Sequence, residues 1–519
     1  MKRIIKKKIG IYCDLTPSTG LGHLIRMKFL SVELEKFQVK TFFFFSNKHK
    51  KFVKKYTKNL NLIFFSDEKL SEFESIKLSV IKNKISTMIF DSYRNIYHLE
   101  KIISNERILT VSIDDHSKKH ATNIVCTNRS DKVNKDFPEQ IWLKGPKYIL
   151  IKKIKKKTNI KKNSKFKILL HAGGSSAYKS IKNFCENIFK ATKEFNLSID
   201  VLCSTLESKK YIKDLLKKNR IKDEFNYLNY SEKFTSSFYN YDLIAGPSGT
   251  TTYESILAGV LPFSTILNND GRDSMVSWNN LGHLMHLNKD EKNDKKILYQ
   301  SLKLILEKKE ILLRKLKKNS KQLDGFGPKR LAIEIINYQK KKLKNYLVNK
   351  QELATKKIIF QLCTIKDIRE FLYVRNQKQN RMVSSDPNHI ISWPEHVRWW
   401  TNDKIKKYNV IRNNTNVGYF WIKMLTDSKG SFVVTGWFLN NNQKDKLMIA
   451  NEICKLQYQE VKKFYKNLTW VITVKKDNDF LNRLNLKFGF KNPAKLSKER
   501  ALRIFSSSTS KFNVMEMKI

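Results

Sequence analysis

A glycine-flanked histidine near the N-terminus is the strongest chemical signal in this chain. The residues Gly20-x-Gly22-His23 follow the apolar run Ile9 to Cys13 and precede a helix-like segment that continues from Met27. A strand that passes through two glycines into a helix lets a ligand approach the backbone closely, and it places His23 in the first helical turn. We therefore predict that His23 is a catalytic base. The alternative, in which the glycines serve only the turn and the histidine is structural, stays open on this segment alone.

Two turns of the phosphate-binding type lie in the middle of the chain. Each follows an apolar strand and precedes a helix-like segment, so backbone N–H groups and a helix N-terminus can hold an anion there. Their candidate ligands are Gly173, Gly174 and Ser175 in the first turn, and Ser248, Thr250 and Glu254 in the second. Each turn alone is equally well explained as an ordinary helix cap. Together with the first glycine turn, they favour a nucleotide diphosphate site.

Short apolar runs alternate with helix-like segments through most of the chain, which predicts an α/β fold with doubly wound parallel sheets. We predict two Rossmann-like lobes, 1–150 and 151–338, with a ligand cleft between them. A charged linker at 339–356 leads to a separate α+β domain at 357–519. Strands are predicted at 8–13, 41–45, 62–65, 87–90, 108–113 and 123–126 in the first lobe, and at 166–170, 198–202, 225–227 and 243–245 in the second.

Composition narrows the class of protein. With 519 residues, 41% of them hydrophobic, the chain is long enough for several folded domains. The net charge of +53 comes mostly from lysines spread along the whole sequence. Because no recognisable nucleic-acid module accompanies this charge, we expect an anionic small-molecule substrate and no nucleic acid. The six cysteines fit neither a disulfide framework nor a zinc site, and no signal peptide or membrane span is recognisable, so we expect a cytoplasmic protein with no membrane partner.

The order of motifs over residues 8–338 resembles that of the UDP-sugar hydrolases of pseudaminic acid biosynthesis. The matching motifs are Asp14-x5-Gly20-x-Gly22-His23-x-x-Arg26, Phe90-Asp91-Ser-Tyr93, Ile113-Asp114-Asp115, Gly145-Pro-Lys-Tyr148, Gly173-Gly174, Gly246-x-Ser248-x-x-x-x-Tyr-Glu254, and Asp324-Gly325-x-Gly327 with Arg330. Members of this family hydrolyse UDP-2,4-diacetamido-2,4,6-trideoxy-β-L-altropyranose to the free sugar and UDP. The resemblance implies the two-lobed GT-B fold of inverting glycosyltransferases, with water as the acceptor.

Carried over motif by motif, the resemblance implies roles for single residues. His23 would activate water at the anomeric carbon, while Asp14 and Tyr93 would support the base or line the sugar pocket. Glu254 would bind the ribose. The other implied ligands of the substrate or of UDP are Gly20, Gly22, Arg26, Gly173, Gly174, Ser175, Ser248, Thr250 and Asn269.

Hydrolysis at an anomeric carbon needs a base whose pKa is near neutral, and departure of UDP needs stabilisation of negative charge. A histidine supplies the first, while backbone donors and helix N-termini supply the second. We therefore expect no metal. A divalent-ion site at Asp114, Asp115 and His116 is the weaker alternative, since such acids more often form a cap or turn.

Residues 358–519 resemble a second family, the GCN5-related N-acetyltransferases. The matching order is Thr364-Ile-Lys-Asp367, Leu372-x-x-Arg375-Asn376, Ser392-Trp-Pro-Glu395-His396, Asn416-Val-Gly418 and Asn478-x10-Gly489-Phe490. The resemblance implies acetyl-CoA as cofactor, with Gly418, Phe438 and Asn478 near it. It also implies acetylation of the 4-amino group of the UDP-sugar precursor, so one polypeptide would perform two consecutive steps.

Two positions depart from the acetyltransferase pattern. The small residues of the pyrophosphate-binding turn are replaced at Lys446 and Met448, and Asn485 stands where many members have a tyrosine. Bulky side chains in that turn hinder the approach of a diphosphate to the backbone. His396 is a candidate base for the amine, but an amphipathic helix that packs on the sheet explains it better. A GT-B glycosyltransferase with a degenerate, non-catalytic module is therefore the alternative to a bifunctional enzyme.

Overall fold

The chain folds into two units, residues 1–346 and 347–519, in the computed structural model. The structure describes residues 7–15, 21–66, 71–115, 118–128, 140–154, 165–171, 182–191, 194–203, 206–218, 225–229, 234–266, 271–288, 290–340, 358–384, 386–412, 415–440, 445–505 and 511–519. Within these residues, no helix has both the length and the apolar character that crossing a membrane requires.

A seven-stranded parallel sheet forms the first lobe of unit 1. Its strands are β1 (Lys8–Cys13), β2 (Lys40–Ser46), β3 (Leu62–Phe65), β4 (Thr87–Asp91), β5 (Leu109–Asp114), β6 (Ile124–Thr127) and β7 (Ile141–Lys144), and its helices are α1 (Gly22–Glu35), α2 (Lys50–Tyr56), α3 (Glu72–Lys82) and α4 (Tyr97–Asn105). The strand order is β3-β2-β1-β4-β5-β6-β7. Ile9, Phe43 and Phe44 are completely buried, as expected where helices cover both faces of a parallel sheet.

A six-stranded parallel sheet forms the second lobe. Its strands are β8 (Phe166–His171), β9 (Leu197–Cys203), β10 (Asn226–Asn229), β11 (Leu243–Pro247), β12 (Leu261–Thr265) and β13 (His286–Leu287). Its helices are α5 (Lys182–Ala191), α6 (Leu206–Lys218), α7 (Thr250–Ala258), α8 (Gly271–Asn280) and α9 (Lys295–Asn319), and α10 (Gly327–Lys340) follows them. The strand order, β10-β9-β8-β11-β12-β13, reverses direction at β8 as the first sheet does at β1. Both lobes are therefore doubly wound and Rossmann-like.

Helix α10 belongs to the core of the first lobe, although the predicted lobe boundary assigned residues 327–338 to the second. Leu331, Ala332 and Ile335 are completely buried there, and α10 packs against α1. Apolar periodicity alone cannot tell which lobe a helix joins, since it reports only that one face is buried.

The motif Asp324-Gly325-x-Gly327 lets the chain return to the first lobe. A Cβ atom on Gly325, which has a φ of +78°, would lie 2.5 Å from the Cα of Lys153, and one on Gly327 would lie 2.1 Å from the carbonyl oxygen of Ile149. Arg330 pairs with Asp324 and donates to the carbonyl of Lys147 at 2.9 Å. The two connections between the lobes are therefore packed against each other, and only glycine fits at the crossing.

Unit 2 has one mixed sheet. Its strands are β14 (Ile358–Leu362), β15 (Ile405–Arg412), β16 (Thr415–Asp427), β17 (Gly430–Leu439), β18 (Thr469–Lys475) and β19 (Phe512–Lys518), in sequential order, and its helices are α11 (Ile368–Asn376), α12 (Lys378–Met382), α13 (Trp393–Trp400), α14 (Lys446–Phe464), α15 (Asp479–Lys487) and α16 (Lys495–Phe505). Neighbouring strands are antiparallel except β17 and β18, which pair in parallel over 432–434 and 469–471 only. Beyond that point the two strands are unpaired, and a cavity of about 480 Å³ is lined by both.

The predicted α/β class with two parallel sheets is confirmed, and each predicted strand is present to within about two residues. In the two parallel sheets, strands β7, β12 and β13 were not predicted. Pro262 lies inside β12 and removes one ladder donor, so the sequence there argued against a strand. The apolar runs of β7 and β13 are too short to predict a strand from the sequence.

We expect fragments of residues 1–346 and 347–519 to fold separately, because each contains complete sheets with their own buried cores. Circular dichroism and thermal unfolding of the two fragments and of the full chain check this. A fragment that ends at residue 338 cuts α10 and should unfold at a lower temperature than 1–346. An insoluble 347–519 fragment would contradict the division.

Candidate active site

The carboxyl ends of β1, β4 and β5, which are neighbours in the first sheet, bring together the polar residues of the candidate site. His23 lies in the first turn of α1, as predicted, and Arg26 lies one turn later. Asp91 is the last residue of β4, and Asp115 directly follows β5. Ligands of doubly wound folds bind at this edge of the sheet, at the point where the strand order reverses.

His23 is anchored by a buried carboxylate. Its Nδ1 lies 2.8 Å from Oδ1 of Asp91, which is completely buried. Burial alone would raise the pKa of Asp91, but Arg26 and His23 lower it to about 2. An ionised carboxylate only accepts hydrogen bonds, so Nδ1 of the neutral ring carries the proton and donates it to Asp91. The lone pair is then on Nε2, which has no hydrogen-bond partner among the described residues. This arrangement is suited to a general base.

Arg26 joins two carboxylates rather than facing open solvent. Its Nε donates to Oδ2 of Asp91 at 2.6 Å, its Nη2 also donates to Asp91, and its Nη1 donates to Asp115 at 2.5 Å. The side chain is 11% exposed. The role of Arg26 as a ligand of the substrate or of UDP stays a prediction. Its contacts make it the residue that holds Asp91 in place beside His23.

Asp14 and Tyr93, both predicted near the base, are connected to each other. The Asp14 carboxylate accepts hydrogen bonds from the Ser92 hydroxyl at 2.9 Å and from the Tyr93 backbone N–H at 2.9 Å. The Tyr93 ring stands edge-on to the His23 ring, with 4.2 Å between their centres. Asp14 therefore fixes the turn that presses Tyr93 against the histidine.

His23 is buried, although it directly follows Gly22 at the start of α1. Its side chain is only 3% exposed. Tyr93 covers one side of the ring and the Asp91–Arg26 pair covers another. The Nε2 atom itself is buried, so a molecule reaches it only when its surroundings move.

Helix α7 presents the second half of the site. It begins at Thr250, after the Ser248-Gly249 turn at the end of β11, and neither α7 nor α1 has a side-chain cap at its N-terminus. A Cβ on Gly22 or Gly249 would meet no described atom within 4 Å. Uncapped N–H groups at a helix N-terminus suit an anion.

Glu254 lies one turn into α7 and is buried. Burial raises the pKa of its carboxyl group to about 7. Within the described residues, no hydrogen bond or ion pair reaches this carboxylate. An isolated buried carboxylate is costly unless it is hydrogen-bonded, and a pair of ligand hydroxyl groups would supply the missing donors.

Several predicted site residues lie outside the described residues. They are Gly20, Gly173, Gly174, Ser175, Asn269 and His116. Among the residues that the structure does describe, no group of three or more histidine, cysteine, aspartate or glutamate side chains is arranged as a metal site.

A buried histidine supports the loop after β5. Nδ1 of His120 lies 2.8 Å from Glu100, and its Nε2 lies 3.6 Å from Asp114. Burial lowers the pKa of His120, but the two carboxylates outweigh it and raise the value to about 9. His120 is therefore protonated at neutral pH, and it compensates two buried carboxylates beside Asp115.

In unit 2, Phe438 and Asn478 line the cavity between the separated strands, and Gly418 does not. A Cβ on Gly418 would lie 2.8 Å from the Phe438 carbonyl oxygen and 2.9 Å from Ile453, so this glycine serves sheet packing. The Asn478 side chain caps α15, accepting from the backbone of Leu481 at 3.1 Å.

His396 lies away from this cavity. It is buried in α13, its Nε2 contacts the Ile368 carbonyl oxygen at 3.0 Å, and its ring stacks on Phe371 and Trp399. Burial lowers its pKa to about 3. The amphipathic-helix alternative therefore explains His396 better than the role of an amine base does.

The sequence interpretation missed the roles of four residues. Asp91 was noted only as part of a motif, Asp115 only in a motif and as a possible metal ligand, and Tyr253 and Asn128, which contact each other, were given no role. Asp91 and Asp115 had a usable signal, because Asp91 ends β4, the neighbour of β1, and Asp115 directly follows β5, one strand further along the doubly wound sheet. The pairing of Asn128 with Tyr253 joins the two lobes. No signal in the sequence indicated it.

Comparison with known proteins gives distant similarities. No protein-family model matches the chain. An uncharacterized protein of Methanocaldococcus jannaschii is 27% identical over 267 residues, which are 49% of this chain and 54% of that protein, so the chain spans about half of that relative's length.

Several solved structures align with about two thirds of the chain. MurG of Acinetobacter baumannii is 13% identical with a TM-score of 0.49, covering 64% of this chain and 99% of that one. The UDP-GlcNAc 2-epimerase of Methanocaldococcus jannaschii is 15% identical with a TM-score of 0.42, covering 64% and 99%. Anabaena HepE, in complex with UDP and glucose, is 12% identical with a TM-score of 0.43, covering 64% and 100%. Each score lies below 0.5, so we assign the fold from the strand order alone.

We expect the stabilising effect of His120 to depend on pH. Because folding raises its pKa from 6.5 to about 9, the contribution is complete below pH 6.5 and is lost as the pH rises through 9. Below pH 6.5 the His120→Gln variant should be less stable than wild type by roughly 3 kcal/mol, and the difference should shrink by pH 9.5. Denaturant unfolding across this range measures it, with His98→Gln on the exposed face of α4 as the control. A difference that stays constant with pH would contradict a charged His120.

Proposed function

We propose that unit 1 is a nucleotide-sugar hydrolase with the GT-B arrangement of two Rossmann-like lobes. Its proposed reaction is the hydrolysis of UDP-2,4-diacetamido-2,4,6-trideoxy-β-L-altropyranose to the free sugar and UDP. The observation that carries this proposal is the His23–Asp91 pair, with Nδ1 held at 2.8 Å from Asp91 and Nε2 without a partner among the residues that the structure describes. The pair stands at the edge of the sheet where doubly wound folds bind ligands.

In the proposed mechanism, Nε2 of His23 accepts a proton from water as the water oxygen attacks the anomeric carbon. The bond between that carbon and the phosphate oxygen breaks, and UDP leaves with the bonding electrons. The Asp91 carboxylate orients the ring throughout and stabilises the imidazolium that forms. Arg26 keeps Asp91 ionised and fixed, so the tautomer that exposes a lone pair on Nε2 is the stable one.

The nucleotide is proposed to bind at helix α7. Backbone N–H groups at the start of α7, with the hydroxyl groups of Ser248 and Thr250, suit the diphosphate. The Glu254 carboxylate is buried and has no donor in the described part of the chain, so it suits the two hydroxyl groups of a ribose.

A glycosyltransferase would use the same cleft but would need room for an organic acceptor at His23. The 3% exposure of His23 favours water as the nucleophile, because a water molecule needs far less space than a sugar hydroxyl with its ring attached. Release of UDP from the sugar nucleotide without any acceptor, monitored by a coupled assay, tests hydrolysis directly. UDP release that appears only when an acceptor is added would favour the transferase.

For unit 2 we propose acetyl-CoA-dependent acetylation of the 4-amino group of the UDP-sugar precursor. The separation of the parallel strands β17 and β18 supports this, because it opens a cavity of about 480 Å³ lined by Phe438 and Asn478. Acetyl-CoA, when bound, supplies the acetyl group as a thioester.

The lining of the cavity fits such a cofactor in part. Apolar and aromatic side chains suit a pantetheine arm, and Arg375, Lys446 and Lys475 supply positive charge for phosphates where the turn lacks its glycines. In the described part of unit 2, no aspartate, glutamate or histidine lines the cavity. The acceptor amine therefore has to arrive unprotonated or lose its proton to water.

We expect His23→Ala to lower the rate of UDP release by about 10² to 10⁴, the usual effect of removing a general base. UDP affinity in calorimetry should change little, because Asp91 keeps its pairing with Arg26 and the α7 site is untouched. His98→Ala, an exposed histidine on α4, is the matched control. A wild-type rate in His23→Ala would reject the assignment of the base.

We expect the 347–519 fragment to bind acetyl-CoA, with the heat of binding measured by calorimetry. Lys446→Glu reverses a charge at the cavity rim and should weaken that binding by at least about tenfold. Lys406→Glu on β15, outside the cavity lining, is the control. No binding at millimolar acetyl-CoA would make unit 2 a non-catalytic module.

A further inference from the structure

A hydrogen bond across the lobes of unit 1 lies beside the candidate active site and has no part in the mechanism above. Nδ2 of Asn128 donates to the hydroxyl oxygen of Tyr253 at 2.9 Å. Asn128 follows β6 of the first lobe, and Tyr253 belongs to α7 of the second. The bond therefore fixes a side chain of the nucleotide-binding helix relative to the lobe that carries His23.

The hydroxyl group of Tyr253 is positioned to donate. Because Asn128 donates to its oxygen, the phenolic proton is left for another acceptor, and within the described residues Tyr253 has no such acceptor. Burial, followed by the charge of Asp115, raises the pKa of Tyr253, so the proton stays on the oxygen at neutral pH. Asn128 directly follows β6, the neighbour of β5, so the Tyr253 hydroxyl lies at the same carboxyl edge of the first sheet as Asp91 and Asp115.

The position of Tyr253 along α7 indicates which part of a ligand it faces. Thr250 opens the helix and Glu254 is the next residue after Tyr253. If Glu254 holds the ribose and His23 faces the anomeric carbon, the diphosphate spans the space between them. A neutral donor held at this edge of the sheet suits the negative charge that grows on the leaving group as the glycosidic bond breaks.

We propose that Tyr253 is a substrate-binding residue that donates a hydrogen bond to the β-phosphate of the leaving nucleotide, and that Asn128 is its positioning residue. This inference rests on the proposed function of unit 1. The bond strengthens as UDP departs, so Tyr253 contributes more to the transition state than to the bound substrate.

The Tyr253→Phe variant of the full chain removes only the hydroxyl group. We expect it to weaken UDP binding about tenfold, while the affinity for UMP, which lacks the β-phosphate, stays unchanged. The kcat of UDP release should fall further than UDP affinity does. Tyr241→Phe is the matched control, because it deletes another tyrosine hydroxyl of the second lobe, one bonded to Asp200 instead.

Asn128→Ala provides a second, independent measurement. Because Asn128 acts through Tyr253, the double variant should be no worse than Tyr253→Phe alone. Wild-type UDP affinity and kcat in Tyr253→Phe, or equal losses for UDP and UMP, would overturn the phosphate contact. Fully additive losses would overturn the role of Asn128. A wild-type protein that neither binds UDP nor releases it would instead reject the proposed function.

Discussion

The buried carboxylate of Asp91 is the group on which the candidate site depends. A carboxylate without solvent is stable only when it is paired and hydrogen-bonded, and Asp91 meets this condition through Arg26 on one side and His23 on the other. The same pairing decides the histidine tautomer. Removal of Arg26 would therefore disturb the base as much as removal of Asp91, although Arg26 does not itself present a group to Nε2.

Parallel strand topology explains how residues so far apart in sequence meet. His23 and Asp91 are 68 positions apart, and Arg26 and Asp115 are 89 apart. Since β1, β4 and β5 are adjacent and point the same way, everything that follows their carboxyl ends converges on one edge. At the end of β5, the buried His120 compensates Asp114, while Arg26 pairs with the neighbouring Asp115.

Local patterns predicted what depends on local physics. The strands followed from apolar runs bounded by turns, and the place of His23 in the first turn of α1 followed from the glycines before it. The burial of His23 and the lobe that α10 joins depend on contacts with distant segments. The apolar periodicity of the sequence therefore could not predict either feature. The bond between Asn128 and Tyr253 joins residues 125 positions apart in different lobes, and it exists only because the lobes are placed as they are.

Unit 2 shows why motif residues and site residues need separate arguments. Gly418 is required by the Phe438 carbonyl and Ile453, and Asn478 is required as the cap of α15, so both positions have structural explanations that need no ligand. The separation of β17 from β18 has no such explanation. Unpaired neighbouring strands forfeit backbone hydrogen bonds that a continued ladder would make, and the open space is lined by aromatic side chains that water solvates poorly. The unpaired backbone groups of these two strands are therefore a stronger argument for a ligand in this cavity than Gly418 or Asn478.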